Sequence, residues 1–234
     1  MNAIADWLHL STVAVSPSAE WVEREAAAEP QAAGPFAQEQ VRDLVRQIFI
    51  AGWPRKARQV VFCAADELPI ENFCLDVATT LSEQASANVC VARGCTEPNY
   101  GGNNSNGNSP PEKPGWLRSS SRQISNNLWQ VPADLLFEAG GKSTTAAQTQ
   151  TRLVALRREF DYAVIEAPSA VHHPQAAHLG SLCDGVVLVL WADHTRRAAA
   201  RRARERLVAA NAYLFGTVLC GRTFPIPEGL YRRL

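Results

Sequence analysis

Apolar residues recur along this chain in two rhythms that replace one another repeatedly. Over 39–51, EQVRDLVRQIFIA, the residues Val41, Leu44, Val45 and Ile48 fall at helical spacing, with Arg42, Asp43, Arg46 and Gln47 largely on the other side. That spacing predicts an amphipathic helix. The run RQVVFCAA at 58–65 is continuously apolar after its basic start, which predicts a strand buried on both faces. Residues 66–84 then read as a loop turning into a helix, with Phe73, Val77 and Leu81 along one side, and 88–92 as a second short strand. Strand, helix and strand in succession imply a βαβ unit and hence parallel pairing. Order resumes at 127–137, followed by a helix with Leu153, Leu156 and Phe160 inward. Strands at 162–167 and 185–191, a helix over 195–212 and a last strand at 214–220 complete the pattern. The expected fold class is α/β: a doubly wound, mainly parallel sheet with flanking helices.

Two stretches break the alternation. Residues 1–38 hold one apolar patch at 7–15 and then an Ala, Glu and Pro-rich stretch, SAEWVEREAAAEPQAAGP, which reads as a flexible N-terminal tail or linker. Residues 97–115, EPNYGGNNSNGNSPPEKPG, offer almost nothing to bury and read as a disordered insert that interrupts one domain spanning 39–234. At 234 residues the chain is long enough for one sizeable core but short for two. Lys plus Arg balances Asp plus Glu at 23 each, so no global field draws the protein to nucleic acid or an anionic membrane. The longest apolar runs, such as 186–191, fall far short of the roughly 20 residues a membrane-spanning helix needs. The start MNAIADWLHL lacks a basic n-region, so a cytoplasmic protein is expected, at the inner face of the membrane if a partner holds it there. Six cysteines are scattered with no CxxC pair and no Cys/His cluster at zinc spacing. They read as reduced core residues, with disulfide or metal roles as the alternatives.

The C-terminal third carries the most specific signal. Its strand Tyr162 to Glu166 followed by Ala167 and Pro168, and later Asp184, Gly185 and Val186 leading a second strand, resembles the Walker B region of MinD/ParA-like P-loop ATPases. It is most similar to the cytoplasmic tyrosine kinases of capsule and exopolysaccharide biosynthesis, the CpsD/CapB or BY-kinase family. The ending IPEGLYRRL at 226–234 is also similar to endings in that family. The resemblance implies a P-loop NTPase-like fold. It also implies an interaction helix with a Glu-x-x-Arg-x-x-Arg motif, which Glu39 and Arg42 match; Val45 holds the third place and Arg46 follows one residue late. Family kinases further phosphorylate tyrosines near the C-terminus, where this chain has Tyr231.

Against that resemblance, the phosphate chemistry departs. A phosphate loop needs backbone N–H groups presented by glycines, a Lys for the phosphate charge, and a Ser or Thr for Mg²⁺. After the strand at 58–65 this chain has DELPIEN, with no Gly and no Lys; Asp66, Glu71 and Asn72 hold the degenerate phosphate-loop positions. Pro69 removes an amide donor, and Asp66, Glu67 and Glu71 place negative charge where triphosphate would sit. Ala92 and Arg93 stand where the kinases carry a second acidic residue, and Glu166 replaces the Walker B Asp. No catalytic set is intact, with Glu166 the remnant, and no cofactor is expected.

Three other features have simpler readings. GKST at 141–144 lacks the upstream Gly and a preceding strand, so it reads as a surface loop with Ser143 or Thr144 capping the next helix. His172, His173 and His178 read as loop histidines rather than metal ligands. Arg196, Arg197, Arg201, Arg202, Arg204 and Arg206 read as a solvated helix face that could equally dock an acidic partner. The functional expectation is a non-catalytic regulatory or assembly partner in polysaccharide biosynthesis and export. It would act on a membrane polysaccharide co-polymerase (chain-length regulator) or an active kinase paralogue, or as a homo-oligomer, without nucleic acid. The alternative is an active ATP- and Mg-dependent protein-tyrosine kinase with an atypical phosphate loop, modifying Tyr231 or Tyr100. A third reading is an interaction module on a generic doubly wound fold.

Overall fold

The predicted rhythm of strands and helices is realised in one sheet. The computed structural model describes residues 13–15, 35–51, 56–94, 115–137 and 145–221, with side chains from residue 38 onward. Its elements are β1 (Val13–Val15), α1 (Pro35–Val45), β2 (Gln59–Ala64), α2 (Glu71–Ala85), β3 (Val89–Arg93), α3 (Trp116–Ser119), β4 (Arg122–Ser125), β5 (Leu128–Pro132), α4 (Ala146–Glu159), β6 (Tyr162–Ala167), α5 (Pro174–Leu182), β7 (Gly185–Trp191), α6 (Arg197–Ala209) and β8 (Leu214–Cys220). A π-helical turn, Arg46–Ile50, continues α1. Among the described residues the strands lie in the order β1-β8-β7-β2-β6-β3-β5-β4. Every pairing is parallel except β4 with β5.

The fully apolar runs become central strands because both of their faces are covered. On one face, α1, its π turn and α2 pack over Val60, Phe62, Val91, Val164 and Val187. On the other, α3 to α6 cover Val61, Cys63, Cys90, Ile165 and Leu188. Strand period two sends alternate residues to the two layers, so β2, buried along its whole length, feeds both cores.

Three sequence expectations are corrected. Val13–Val15, within the segment read as a tail, pairs with Val218–Cys220 as an edge strand, and α1 begins at Pro35. A three-residue strand is too short to show a period and is held by its main-chain pairing, which side-chain patterns do not record. Residues 115–126 are already part of the described fold, ahead of the expected restart at 127. The Glu159 carboxylate accepts the N–H groups of Gly115 (3.1 Å), Leu117 (3.4 Å) and Arg118 (2.8 Å), and the Arg118 guanidinium lies 4.5 Å from the centre of the Trp129 ring. β4 then runs antiparallel to β5 with all four of its residues exposed, so it carries no hydrophobic signature. The rest of the expected insert lies outside the described residues.

The third correction concerns the cap of α4, which is Thr145 rather than Ser143 or Thr144. Its hydroxyl accepts the Gln148 N–H at 3.3 Å while the Gln148 side chain accepts the Thr145 N–H at 3.0 Å, a reciprocal capping box. Thr145→Ala is expected to lower stability by about 1 kcal/mol, measured as an unchanged denaturant slope with a lower midpoint in urea.

Candidate functional site

Neighbouring strands of the sheet diverge at β2. From β2 the chain moves past β6 to β3 on one side, whereas β7 flanks β2 on the other. Such a reversal leaves a crevice at the carboxyl ends of the strands, where open α/β sheets place their ligands. The residues there come from the loop after β2, the first turn of α2, and the ends of β3 and β6.

The loop is fastened from below. The Ala65 N–H donates to the Val189 carbonyl at 3.1 Å, the Ala170 N–H to the Ala64 carbonyl at 2.9 Å, and the buried Ser169 hydroxyl to the Ala65 carbonyl at 2.9 Å. Beyond Ala65 it turns tightly, with the Leu68 N–H donating back to the Asp66 carbonyl at 2.9 Å. Glu67 and Pro69 are exposed, and Asp66 is half-buried. Ile70 precedes α2 without a side-chain cap, so the first-turn N–H groups of α2 stand uncapped, and Glu71 is the acidic residue of that turn. Helix N-termini favour anions, and here a side-chain carboxylate already supplies one. Glu71 and Asn72 are both exposed. His173 reaches back to Glu67, with Nε2 3.8 Å from Oε1.

Glu166 and Arg93 form the floor. Glu166 pairs in register with Phe62, and it lies one position past the Ile165–Ala92 pair that joins β6 to β3. Val164 and Val91, two residues earlier on each strand, face the core under α2, so by strand alternation Glu166 and Arg93 project to that side as well. The Glu166 Oε2 and the Arg93 Nε are each buried without a hydrogen-bond partner. Burial pushes the Glu166 carboxyl from 4.5 up to about 7; the negative charge of Glu71 pushes the same way, and Arg93 opposes both. Cys74, one turn into α2, feels Glu166 and Arg93, but burial is the main cause of its strongly raised thiol, so it is unreactive.

Of the residues singled out in the sequence, Asp66, Glu71, Asn72 and Glu166 are thus gathered at one end of the sheet. Glu39, Arg42 and Arg46 are exposed on the outer side of α1 and its π turn, opposite the buried Val41, Leu44, Val45 and Ile48. Tyr231, Tyr100 and the GKST segment lie outside the described residues. His172 and His173 lie in the turn before α5, as read, whereas His178 sits within α5, a correction to its loop reading; Pro174 at the first helical position starts the helix there. Among the described residues no group of three or more His, Cys, Asp or Glu is arranged to hold a metal ion.

The Asp184-Gly185-Val186 motif lies at the opposite, amino end of the strands. The Asp184 carboxylate accepts the backbone N–H of Arg58 (2.7 Å) and of Gln59 (2.9 Å) and pairs with the Arg157 guanidinium at 2.7 Å. Gly185 is required beside it, because a Cβ there would stand 2.3 Å from the Phe215 ring and 2.7 Å from the Tyr213 carbonyl. The motif therefore ties β7 and α4 to the start of β2. What sequence reasoning missed at the crevice is the juxtaposition of Arg93 with Glu166. Nothing in the sequence signals it, because it depends on β3 and β6 being neighbours in a fixed register.

No protein-family model matches the chain, and no curated protein matches it by sequence. Solved structures do. The chimerical protein CapA2B2 superposes with a TM-score of 0.62 at 14% identity, over 94% of this chain and 97% of that one. The kinase domain of the Escherichia coli tyrosine kinase ETK gives 0.57 at 15% identity, over 93% of each chain. A ParA family ATPase from Chlorobium tepidum TLS gives 0.50 at 14% identity, over 74% of this chain and 77% of that one. The chain has the fold of bacterial tyrosine-kinase domains and ParA-like P-loop ATPases, as the Walker B-like strand implied.

Proposed function

We propose that this protein is a non-catalytic relative of the bacterial tyrosine kinases, a regulatory or assembly subunit in capsular or exopolysaccharide biosynthesis and export. One observation carries the reading: the crevice already disfavours the charge of a single carboxylate, Glu166, through burial and the neighbouring Glu71. A triphosphate would bring several more negative charges to the same place, with no lysine and no glycine loop to receive them. Asp66 and Glu67, on the loop that would wrap the phosphates, add to the opposition, and Pro69 removes a donor.

If ATP and Mg²⁺ have no place in the crevice, the contribution of this fold lies in its surfaces. Glu39 and Arg42, projecting from α1, and Arg46, from its π turn, are the contact residues toward an active kinase paralogue, a membrane polysaccharide co-polymerase or a second copy of the chain. Among the described residues no helix is long and apolar enough to cross a membrane, so attachment to the inner membrane face would come through such a partner.

A second reading is favoured by the carboxylate retained at the end of β6. If Glu166 suffices to hold a metal ion, the protein is an ATP-dependent tyrosine kinase with an atypical phosphate loop. Purified protein incubated with Mg-ATP separates the two. The non-catalytic reading expects no phosphotyrosine by mass spectrometry at Tyr231 or Tyr100. Phosphotyrosine that disappears in Glu166→Ala would establish the kinase.

A further inference from the structure

We propose that Arg93 is the resident cation of the crevice, its fixed charge repelling divalent cations from Glu166. The inference deepens the non-catalytic reading and rests on it, since it names the residue that closes the site to metal-bound nucleotide. It begins from the ends of two adjacent parallel strands, where register and alternation put a carboxylate and a guanidinium on the same face, beneath the start of α2. Each has a buried polar atom with no hydrogen-bond partner, an acceptor at Glu166 Oε2 and a donor at Arg93 Nε. Among the described residues the two groups are not joined in an ion pair, so the guanidinium acts on the carboxylate through its charge across the gap, against burial and Glu71.

Glu71 opposes Glu166 from the first turn of α2, and Cys74 contributes an uncharged thiol. Arg93 is the one cation whose charge acts on Glu166 among the described residues. A guanidinium carries its charge at every physiological pH and cannot dissociate from the chain, so it repels a free cation approaching the same carboxylate. Removing it would leave Glu166 and Glu71 without a nearby cation, a place that a proton takes in acid and a divalent metal takes once the pH is high enough to ionise Glu166.

The test is manganese titration followed by electron paramagnetic resonance, with the metal alone as the probe. Arg93→Met is expected to bind Mn²⁺ at least about tenfold more tightly than the parent chain, equal to about 1.4 kcal/mol. Arg93→Lys, which keeps the charge, is expected to behave like the parent, and Arg93→Met/Glu166→Gln to lose the gain. Arg93→Met binding no better than the parent, or a gain that survives Glu166→Gln, would overturn the assignment. Should Arg93→Met fail to fold, the double variant decides: it is expected to fold, because the defect would be a lone buried carboxylate, and its failure would reject the assignment. Tight Mg-ATP binding by the parent chain would instead defeat the non-catalytic reading, so the two can fail separately.

Discussion

Glu166→Gln is expected to stabilise the protein by about 2 kcal/mol at pH 8 and to leave it nearly unchanged at pH 5. The sign follows from the proton balance. Glu166 in the folded chain titrates near 7 against an ordinary 4.5, chiefly because burial penalises its charged form. Between those values the folded state holds a proton that the unfolded state has released, so stability falls as pH rises through the window. The contribution is fully present below 4.5 and gone above about 7. A tenfold difference in proton affinity between the folded and unfolded chain is worth about 1.4 kcal/mol, and partial access of water to the carboxyl reduces the total to the figure given. Glutamine has the shape of the protonated acid and no charge to lose, so its stability curve is expected to be flat over the same range. Urea denaturation of both proteins at pH 5, 6, 7 and 8 checks this. A parent curve that is flat, or that rises with pH, would remove the buried carboxylate from the account.

Asp184→Ala is expected to cost about 3 kcal/mol at pH 7, more than any other single change discussed. Three donors lose their acceptor at once: the Arg58 and Gln59 N–H groups and the Arg157 guanidinium. Leaving such groups unpaired costs about 1–3 kcal/mol apiece when they are buried, and less here because Arg58 and Arg157 reach solvent. Burial alone would raise the Asp184 carboxyl, but the hydrogen bonds from Arg157, Gln59 and Arg58 and the charge of Arg157 outweigh it and hold it below its ordinary 3.8. That contribution is present above 3.8 and is lost as pH falls through the lower, folded value. The gap between parent and variant is therefore expected to narrow only in strong acid. Thermal denaturation from pH 7 down to pH 3 reads it directly, and a variant as stable as the parent at pH 7 would contradict the assigned role.

The same two residues illustrate how far the amino-acid sequence reaches. The central strands were legible because burial on both faces demands uninterrupted apolar runs, as 58–65 and 185–191 have, and the amphipathic helix over 39–51 was legible because only one of its faces is covered. The edge elements were not. β1 is three residues long and β4 exposes every side chain, so both are defined by main-chain pairing that leaves no pattern in residue type. In the crevice, the acidic loop was readable as an inversion of charge at a position that ought to be basic. The opposition of Glu166 and Arg93 was not, because residues 93 and 166 meet only once β3 and β6 are known to be neighbours in a fixed register. Asp184 shows the converse: its motif was recognised, but its work at the amino end of the sheet became visible only when its partners from β2 and α4 were in place.

We propose that the crevice of this fold, shared with bacterial tyrosine-kinase domains, is turned against nucleotide by its own carboxylates. Isothermal titration calorimetry of the full chain with Mg-ATP tests it most directly. The account predicts no saturable heat up to millimolar nucleotide. A dissociation constant in the micromolar range, equivalent to about −8 kcal/mol of binding, would contradict it.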